Sequence, residues 1–497
     1  MPFLSPGVNN RELDLSLYIQ LQATTKLGMV GLFAKGEFDK VISITSEPEL
    51  TEKLGRPLPG HQGWYAAREF LRRGNQLEII RIGNQNSASK ASADLLSGAT
   101  ASLRITPKTK GSEYNGYRVI TSAGSSIGIR IVIETEEGAF VDLWDNITRA
   151  NANSEFNSPD FDIEVLTSGS PGEPDTSKTV LFSGGADGII GLGDANIIGA
   201  NLPSGKTGMK ALSDAETIDI NLLNAPGFTS PAVVNELLSI ASTRSDTLAL
   251  IDSPYGLNFQ EVRAWHNGEG TFSASNVKLN SNYGALYWDW QPVFSEFEEK
   301  NIWLAPSAIA ARVFAYNDAV SHPWFAPAGY KRGRIRGLQA GGNFPDKDQR
   351  DFIQQDGQNV NPFANFSDIG PVIWGQKTLQ RQNTALNRVN VRRMLLFLQK
   401  IISSSSRSIL FDQIDGVTFR EWKSLTEPVF KNVLVNRGVR DYKIVMDSTT
   451  TTELDAENNR IKGRMFIKPT KSGENLQLDY VITPQGADFT ELANTIT

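Results

Sequence analysis

The chain of 497 residues contains no cysteine and only three histidines, His61, His266 and His322. Without cysteine there are no disulfides, no thiol catalysis and no zinc bound by thiolates. The histidines lie far apart in the sequence and lack the spacing of a metal site. The composition therefore predicts neither a metal nor a cofactor, and it fits assembly in a reducing cytoplasm.

Strong charge and long apolar runs are missing as well. The net charge of −6 is small for this length, whereas a generic nucleic-acid binder normally carries a basic domain. No stretch approaches the roughly 18 uninterrupted apolar residues of a membrane span, and the first residues lack the pattern of a signal peptide. We therefore expect neither nucleic acid nor direct membrane insertion among the interactions of this chain.

Both ends of the sequence have the period of a β-strand, and neither has a local partner strand. The apolar positions of the first alternation are Leu13, Leu15, Leu17, Ile19 and Leu21. Those of the second are Leu476, Leu478, Tyr480 and Ile482. Period-2 alternation is typical of a half-buried strand. An unpaired strand must find a sheet edge elsewhere, in the same sheet or in a neighbouring molecule.

Between these ends the pattern predicts an α/β core that is interrupted by a β-rich insertion. Few helices can be placed in the insertion, which favours an all-β domain of sandwich type. The Ser/Ala-rich stretch 84–100 is interpreted as a linker, and the polar stretch 344–365 as a surface loop. The predicted segments are an N-terminal exchange arm 1–22, a first core part 23–98, the inserted β domain 99–190, a second core part 191–375, a C-terminal α+β part 376–474 and a C-terminal strand arm 475–497.

Helix signals are clearest near the C-terminus. A long helix is predicted from about 385 to 404, with its apolar stripe at Val391, Leu395, Leu398 and Ile402. Arg388 and Arg392 lie away from that stripe, so they form either a solvated basic face or a contact with an acidic partner. Thr418 and Glu421 have the spacing of a capping box for the next helix, which Pro428 should kink or split.

One segment matches a relaxed phosphate-binding loop, residues 200–207. In such a loop Lys206 would contact phosphate and Thr207 magnesium, and Asp252 follows a buried run that could support the metal. Pro203 removes one of the N–H donors that the loop would use. The competing interpretation is an ordinary turn before a helix.

Other motifs have simpler explanations. Gly124–Gly128 matches the nucleophile-elbow string, but a strand rather than a helix follows it, which favours a hairpin turn. The aspartates between 346 and 356 lack the spacing of a calcium loop. No catalytic constellation emerges, and we expect a non-enzyme. A glycan-binding role for the β insertion is a further alternative.

Several blocks together resemble the contractile tail sheath family of phages and related injection machines. Their order and spacing across nearly the whole chain carry the resemblance. The blocks are Pro6-Gly7-Val8 with Gly28–Gly36, then Gly184–Gly188, then Tyr283–Trp290 with Ala305-Pro306-Ser307, Asp318 and Trp324–Gly329, and finally Arg388–Arg393 with Phe411, Trp422 and Ile467-Lys468-Pro469.

The resemblance implies a core with a subtilisin-like shape and no catalysis, a variable β insertion and a C-terminal α+β part. It also implies a mechanical function. Copies would stack as rings, six-fold in the expected lattice, around an inner tail tube, and exchanged terminal strands would link them while the sheath contracts to drive the tube through a target envelope. Further partners would be baseplate and tail terminator proteins, and the location would be the tail of a particle assembled in a host cytoplasm. In this setting Arg388 and Arg392 become candidate contacts to the tube.

Overall fold

The first part of the core contains both strands and helices, which are the first elements of a layered α/β structure. The computed structural model describes residues 25–203, 205–269, 278–339, 341–355, 357–474 and 476. Ser46 caps the first helix by accepting a hydrogen bond from the Glu49 amide, the usual role of a serine that precedes a helix. The elements of this part are β1 (Lys26–Gly31), β2 (Val41–Ile44), α1 (Glu47–Leu54), α2 (Gly63–Leu71) and β3 (Gln76–Arg81).

The following region consists almost entirely of short antiparallel strands. Ile129, Ile131 and Ile133 point into a hydrophobic cluster of its own, as their alternation predicts. Its sheets have the orders β10-β6-β5 and β11-β7-β8-β9. The elements are β4 (Ala88–Ser89), β5 (Ala93–Ser97), β6 (Thr100–Pro107), β7 (Arg118–Ala123), β8 (Ile129–Glu134), β9 (Phe140–Ile147), α3 (Ala152–Glu155), β10 (Phe161–Val165), β11 (Lys178–Leu181) and β12 (Ala186–Asp187).

The predicted linker at 84–100 is wrong, because β4 and β5 lie inside it. β4 pairs antiparallel with β12, so the chain enters and leaves this region side by side. The fully buried Arg81 fixes this stem to the core. Its guanidinium donates to the carbonyl oxygens of Phe33 and Lys110, at 2.9 and 2.7 Å, and to Asp187 at 3.3 Å.

The second part of the core completes the central sheet. The predicted loop at 344–365 is wrong, since it contains a helix and a buried strand. The elements are α4 (Asp194–Ile198), β13 (Asn201–Leu202), β14 (Gly205–Lys206), β15 (Leu222–Asn224), α5 (Pro231–Arg244), β16 (Leu248–Asp252), α6 (Phe259–His266), β17 (Gly284–Trp288), β18 (Gln291–Ser295), β19 (Lys300–Leu304), α7 (Pro306–Val320), α8 (Gly329–Arg332), α9 (Lys347–Ile353), β20 (Val360–Phe366) and β21 (Gly370–Ile373).

The central sheet has eight strands in the order β2-β3-β1-β15-β16-β17-β20-β21. Its inner pairs are parallel and the two outermost pairs are antiparallel. Leu248 and Leu250 of β16 pack on the face that α2 and α7 cover, whereas Ala249 and Ile251 pack on the face that α5 covers. Burial on both faces explains the continuous apolar runs of these strands. The subtilisin-like shape of the core stays a prediction.

The C-terminal part joins two long helices to a small sheet. Its elements are α10 (Val389–Ser406), α11 (Gly416–Val435), β22 (Val439–Val445), α12 (Glu453–Glu457) and β23 (Arg464–Pro469). Asp415, not Thr418, caps α11, and the helix continues through Pro428 without the predicted split. Single-turn 3₁₀ helices at Ala385–Asn387 and Arg407–Ile409 flank α10, and a longer one at Gly208–Ser213 precedes β15. No helix among the described residues is long and apolar enough to cross a bilayer.

Candidate assembly site at the roots of the terminal arms

Most residues predicted to exchange between subunits lie outside the described residues, namely Leu13, Leu15, Leu17, Ile19, Leu478, Tyr480 and Ile482. Leu476 is described, and its side chain is 82% exposed. Strand exchange therefore stays a prediction. The structure instead shows how the chain is held where each predicted arm joins the folded part. We call Thr25 and Lys26 the N-terminal root, and Ser472 and Glu474 the C-terminal root.

Thr25 of the N-terminal root is tied to a buried ion pair. Its hydroxyl donates to Oδ2 of Asp318 at 2.5 Å, and both residues are buried. The same carboxylate accepts both terminal nitrogens of Arg393, at 2.8 and 2.5 Å. Arg393 also lies over the ring of Phe314, 4.8 Å from its centroid. This fork joins the start of β1 to α7 and α10 in a low-dielectric setting.

Lys26 forms a second, more exposed attachment. Its ammonium group and that of Lys400 both bind the carboxylate of Asp219. Lys400 also donates to the carbonyl oxygen of Ile220 at 2.9 Å. Burial favours the neutral acid, but the hydrogen bonds from the two lysines outweigh it and lower the pKa of Asp219. The lysine–aspartate–lysine bridge therefore ties β1 to the middle of α10.

Glu474 of the C-terminal root receives a fork from Arg388, the residue that precedes α10. The Nε and Nη2 atoms of Arg388 lie 2.6 and 2.8 Å from its two carboxylate oxygens. The side-chain amide of Gln376 donates to Ser472 at 2.5 Å and to Glu474 at 2.9 Å. The Arg388 and Glu474 side chains are 28% and 34% exposed. This attachment has good geometry, but solvent screens it.

β22 and β23 form an antiparallel ribbon whose outer edges are unpaired within the described residues. Tyr442 of β22 stacks on Phe430 of α11, with ring centroids 5.0 Å apart. On β23, Met465 and Phe466 are 39% and 56% exposed. A two-stranded ribbon is marginally stable by itself, and its free edges are templates for further strands.

The basic face predicted at Arg388 and Arg392 does not exist as an exposed surface. Arg392 is only 4% exposed, and its guanidinium stacks on the ring of Tyr283, 3.7 Å from the centroid. Burial lowers the pKa of Arg392. The prediction failed because the ring of Tyr283, a turn residue immediately before β17 and far away in the sequence, covers the side chain. Arg388 keeps partial exposure, so its contact to a tube stays a prediction.

The predicted phosphate-binding loop folds as a hairpin. Residues of β13 and β14 pair with each other, and the Lys206 ammonium donates to the hydroxyl of Ser213 at 2.8 Å. Thr207 accepts a hydrogen bond from the Ala200 amide at 2.9 Å. Asp252 is 3% exposed and accepts from Ser307 and from the Gly227 amide. These contacts occupy the residues that a nucleotide would need, so the arrangement does not favour a nucleotide site.

The remaining candidate residues have structural roles. Asp346 caps α9, and Gly124–Gly128 lies in the turn between β7 and β8. His266 is buried, and burial together with the nearby Arg381 lowers its pKa to about 3. His322 stacks on Trp324, with ring centroids 4.5 Å apart. Among the described residues no group of three potential ligands is placed to hold a metal.

The attachments at both roots were missed from the sequence. Their partners lie far apart along the chain, so no local spacing shows them. Arg393 carried one usable signal, because it stands four residues after Val389 and three before Leu396, which both pack into the core. A charge on the apolar side of a helix normally has a buried partner.

Comparisons with known proteins agree on one family. No protein-family model matches the sequence. The chain is 24% identical to the tail sheath protein of Vibrio phage KVP40, over 99% of this chain and 100% of that protein. It is 28% identical to the tail sheath protein of Enterobacteria phage T4, over 56% of this chain and 44% of that protein.

Solved structures show the same fold at lower identity. The sheath tail protein of Desulfitobacterium hafniense matches with a TM-score of 0.63 and 14% identity, over 90% of this chain and 94% of that one. The sheath of an extracellular contractile injection system in its contracted state matches with a TM-score of 0.55 and 13% identity, over 99% of each chain. The chain is thus similar to contractile tail sheath proteins over its whole length and has the fold of solved sheath proteins.

The proteins that the chain resembles are named as sheath proteins. The alternative of a nucleotide-binding enzyme that uses Lys206, Thr207 and Asp252 is not favoured, since neither the geometry nor the relatives support it. The roots and the ribbon, rather than a catalytic pocket, are therefore the site at which the function of this chain is best sought.

Proposed function

We propose that this chain is the repeating subunit of a contractile sheath in the tail of a phage or injection particle. Copies stack as rings around an inner tube, and each lends its terminal strands to its neighbours. The links persist while the subunits rotate and slide during contraction. Partners are further copies of the chain, the tube protein, and the baseplate and terminator proteins at the two ends of the sheath.

The β22–β23 ribbon is the observation that carries this proposal. Among the described residues its two outer edges have no partner strand, and the sequence supplies two predicted strands without local partners. Adding one strand to each edge would satisfy backbone groups on both sides of the ribbon and cover exposed side chains such as Phe466. A repeating head-to-tail donation of this type closes into a ring where the rotation between copies closes, and it extends as a helical lattice where it does not.

The attachments at the two roots give the proposal mechanical support. A strand held by a neighbour exerts force on its own subunit where it joins the fold. Both roots carry forked ion pairs there, Thr25 through Asp318 and Arg393, and Glu474 through Arg388. Forked pairs fix direction as well as distance, which suits a connection under load.

Removing residues 1–22 tests the proposal. We expect a folded subunit that forms no long sheaths, because the strand that links neighbouring copies is lost. Negative-stain electron microscopy measures sheath length, and circular dichroism checks the fold. Sheaths of normal length from the truncated chain would contradict the exchange of strands.

Matched substitutions sharpen this test. Leu13→Asp with Leu17→Asp places charge on the apolar side of the predicted strand, and we expect it to shorten the sheaths as the deletion does. Ser16→Asp with Gln20→Asp adds the same charge on the polar side and serves as the control. Equal shortening by the two pairs would show that net charge, rather than a buried strand face, sets sheath length.

A further inference from the structure

Helix α10 contacts both roots. Arg388, immediately before the helix, holds Glu474 of the C-terminal root. Arg393, in its second turn, holds Asp318, which also binds Thr25. Lys400, two turns further, shares Asp219 with Lys26. Two cations on the helix and one immediately before it therefore hold the two places where the predicted arms begin.

The helix is well placed to act as a rigid body. Its 18 residues span about 27 Å at the usual rise of an α-helix. Val389 and Leu396 pack into the core cluster. Leu398 and Ile402 pack into the C-terminal cluster. Because α10 is clamped between two packed layers, a shift at one end cannot be absorbed by bending alone.

We propose that α10 is the mechanical joint that couples the two terminal arms of each subunit. Arg388 positions the C-terminal arm, Arg393 and Lys400 position the N-terminal arm, and displacement of one arm is passed to the other through the helix. This inference rests on the proposed exchange of strands. In a sheath it would let a ring that moves during contraction transmit its motion to the next ring through one element per subunit.

Two substitutions, alone and combined, test whether the roots lie on one path. Glu474→Gln removes the charge that Arg388 holds, and Asp219→Asn removes the charge that Lys26 and Lys400 share. The control Asp351→Asn disrupts the exposed pair of Lys347 and Asp351 on α9. The measurement is the fraction of contracted sheaths of the full chain that show a break by electron microscopy.

We expect each single substitution to raise the broken fraction about threefold, in keeping with the modest contribution of partly exposed ion pairs. The double substitution should not raise the broken fraction above that of the more severe single substitution, because a path that is already interrupted cannot be interrupted twice. Multiplied effects in the double variant would show two independent anchors and overturn the joint. So would single variants that behave like Asp351→Asn.

Hydrogen exchange on the unassembled subunit separates this inference from the proposed function. If α10 couples the roots, Glu474→Gln speeds exchange at the amides of β1, and Asp351→Asn does not. Unchanged exchange at β1 overturns the joint even where sheaths form. If the chain formed no sheaths at all, the proposed function would fail, and the exchange rates at β1 would still decide whether the roots are coupled.

Discussion

The two roots of the chain are held by the same chemistry in opposite environments. Arg393 and Asp318 at the N-terminal root have side chains 4% and 2% exposed, whereas Arg388 and Glu474 at the C-terminal root are 28% and 34% exposed. A buried fork is strong only while every member is present, and removing one leaves an unpaired charge. A solvated fork can open and re-form at little cost. The N-terminal root is therefore the stronger attachment, and the C-terminal root the weaker one.

The largest effect should come from breaking the buried fork. Arg393→Met leaves the Asp318 carboxylate buried without its cation, and we expect a loss of about 3–5 kcal/mol in the free energy of unfolding. The matched change Arg388→Met at the exposed fork should cost less than about 1 kcal/mol. Urea unfolding of both variants measures the difference. Equal losses would contradict the contrast between the roots.

Removing only the hydroxyl at the N-terminal root should have an intermediate effect. Thr25→Val keeps the shape of the side chain but deletes a hydrogen bond to a charged acceptor, which typically contributes about 1.5–3 kcal/mol. Asp318 would keep both bonds from Arg393, so the fold should survive. Urea unfolding at neutral pH measures the loss. A loss below that of Arg388→Met would show that Thr25 is not part of the anchor.

The smallest effect should come from the bridge at Asp219, which is half exposed. The folded pKa of this acid lies below its ordinary value of 3.8, so its contribution is present above that value and disappears as pH falls through the folded pKa. After allowance for solvent screening, Asp219→Asn should cost about 1 kcal/mol or less at pH 7.

Urea unfolding of the wild type and Asp219→Asn between pH 2 and pH 7 checks the sign. The two stabilities should converge at the acidic end. Added salt should reduce the difference in unfolding free energy between the two proteins at pH 7, since the bridge is partly solvated. A gap that widened toward low pH would mean that the lysines do not stabilise the carboxylate.

Local elements could be predicted from the sequence where the signal was local. Ser46 caps α1 and Ser230 caps α5, and the isoleucines of β8 point inward, as their local spacing indicates. The apolar stripe of α10 was also confirmed at Leu398 and Ile402. Each rests on a spacing of two to four residues that physical chemistry fixes without reference to the rest of the chain.

Long-range elements could not be predicted in this way. β20 was assigned to a loop because it lies at the end of the stretch 344–365, which is polar and rich in glycine, asparagine and aspartate. Asn361 in this strand can be fully buried because its side-chain amide donates to the carbonyl oxygens of Leu286 and Lys377. The assembly site could not be predicted for the same reason, since Thr25 and Asp318 are separated by 293 positions in the sequence. A polar residue shows its role only once its partner is in place.

The stem formed by β4 and β12 bears on how the β-rich region could be replaced. The β-rich region enters and leaves the core through two paired strands, about 4.8 Å apart. Arg81, on the core side, connects this stem to the core by donating to the Phe33 carbonyl oxygen and to Asp187. The region is therefore an insertion that begins and ends at the paired strands of this stem. Exchanging residues 90–185 for a foreign domain whose termini are close together would remove no strand of the eight-stranded sheet and no residue of either root, but Arg81 would lose the Lys110 carbonyl and Arg56 would lose Glu113. We expect the sheet to fold around such an exchange.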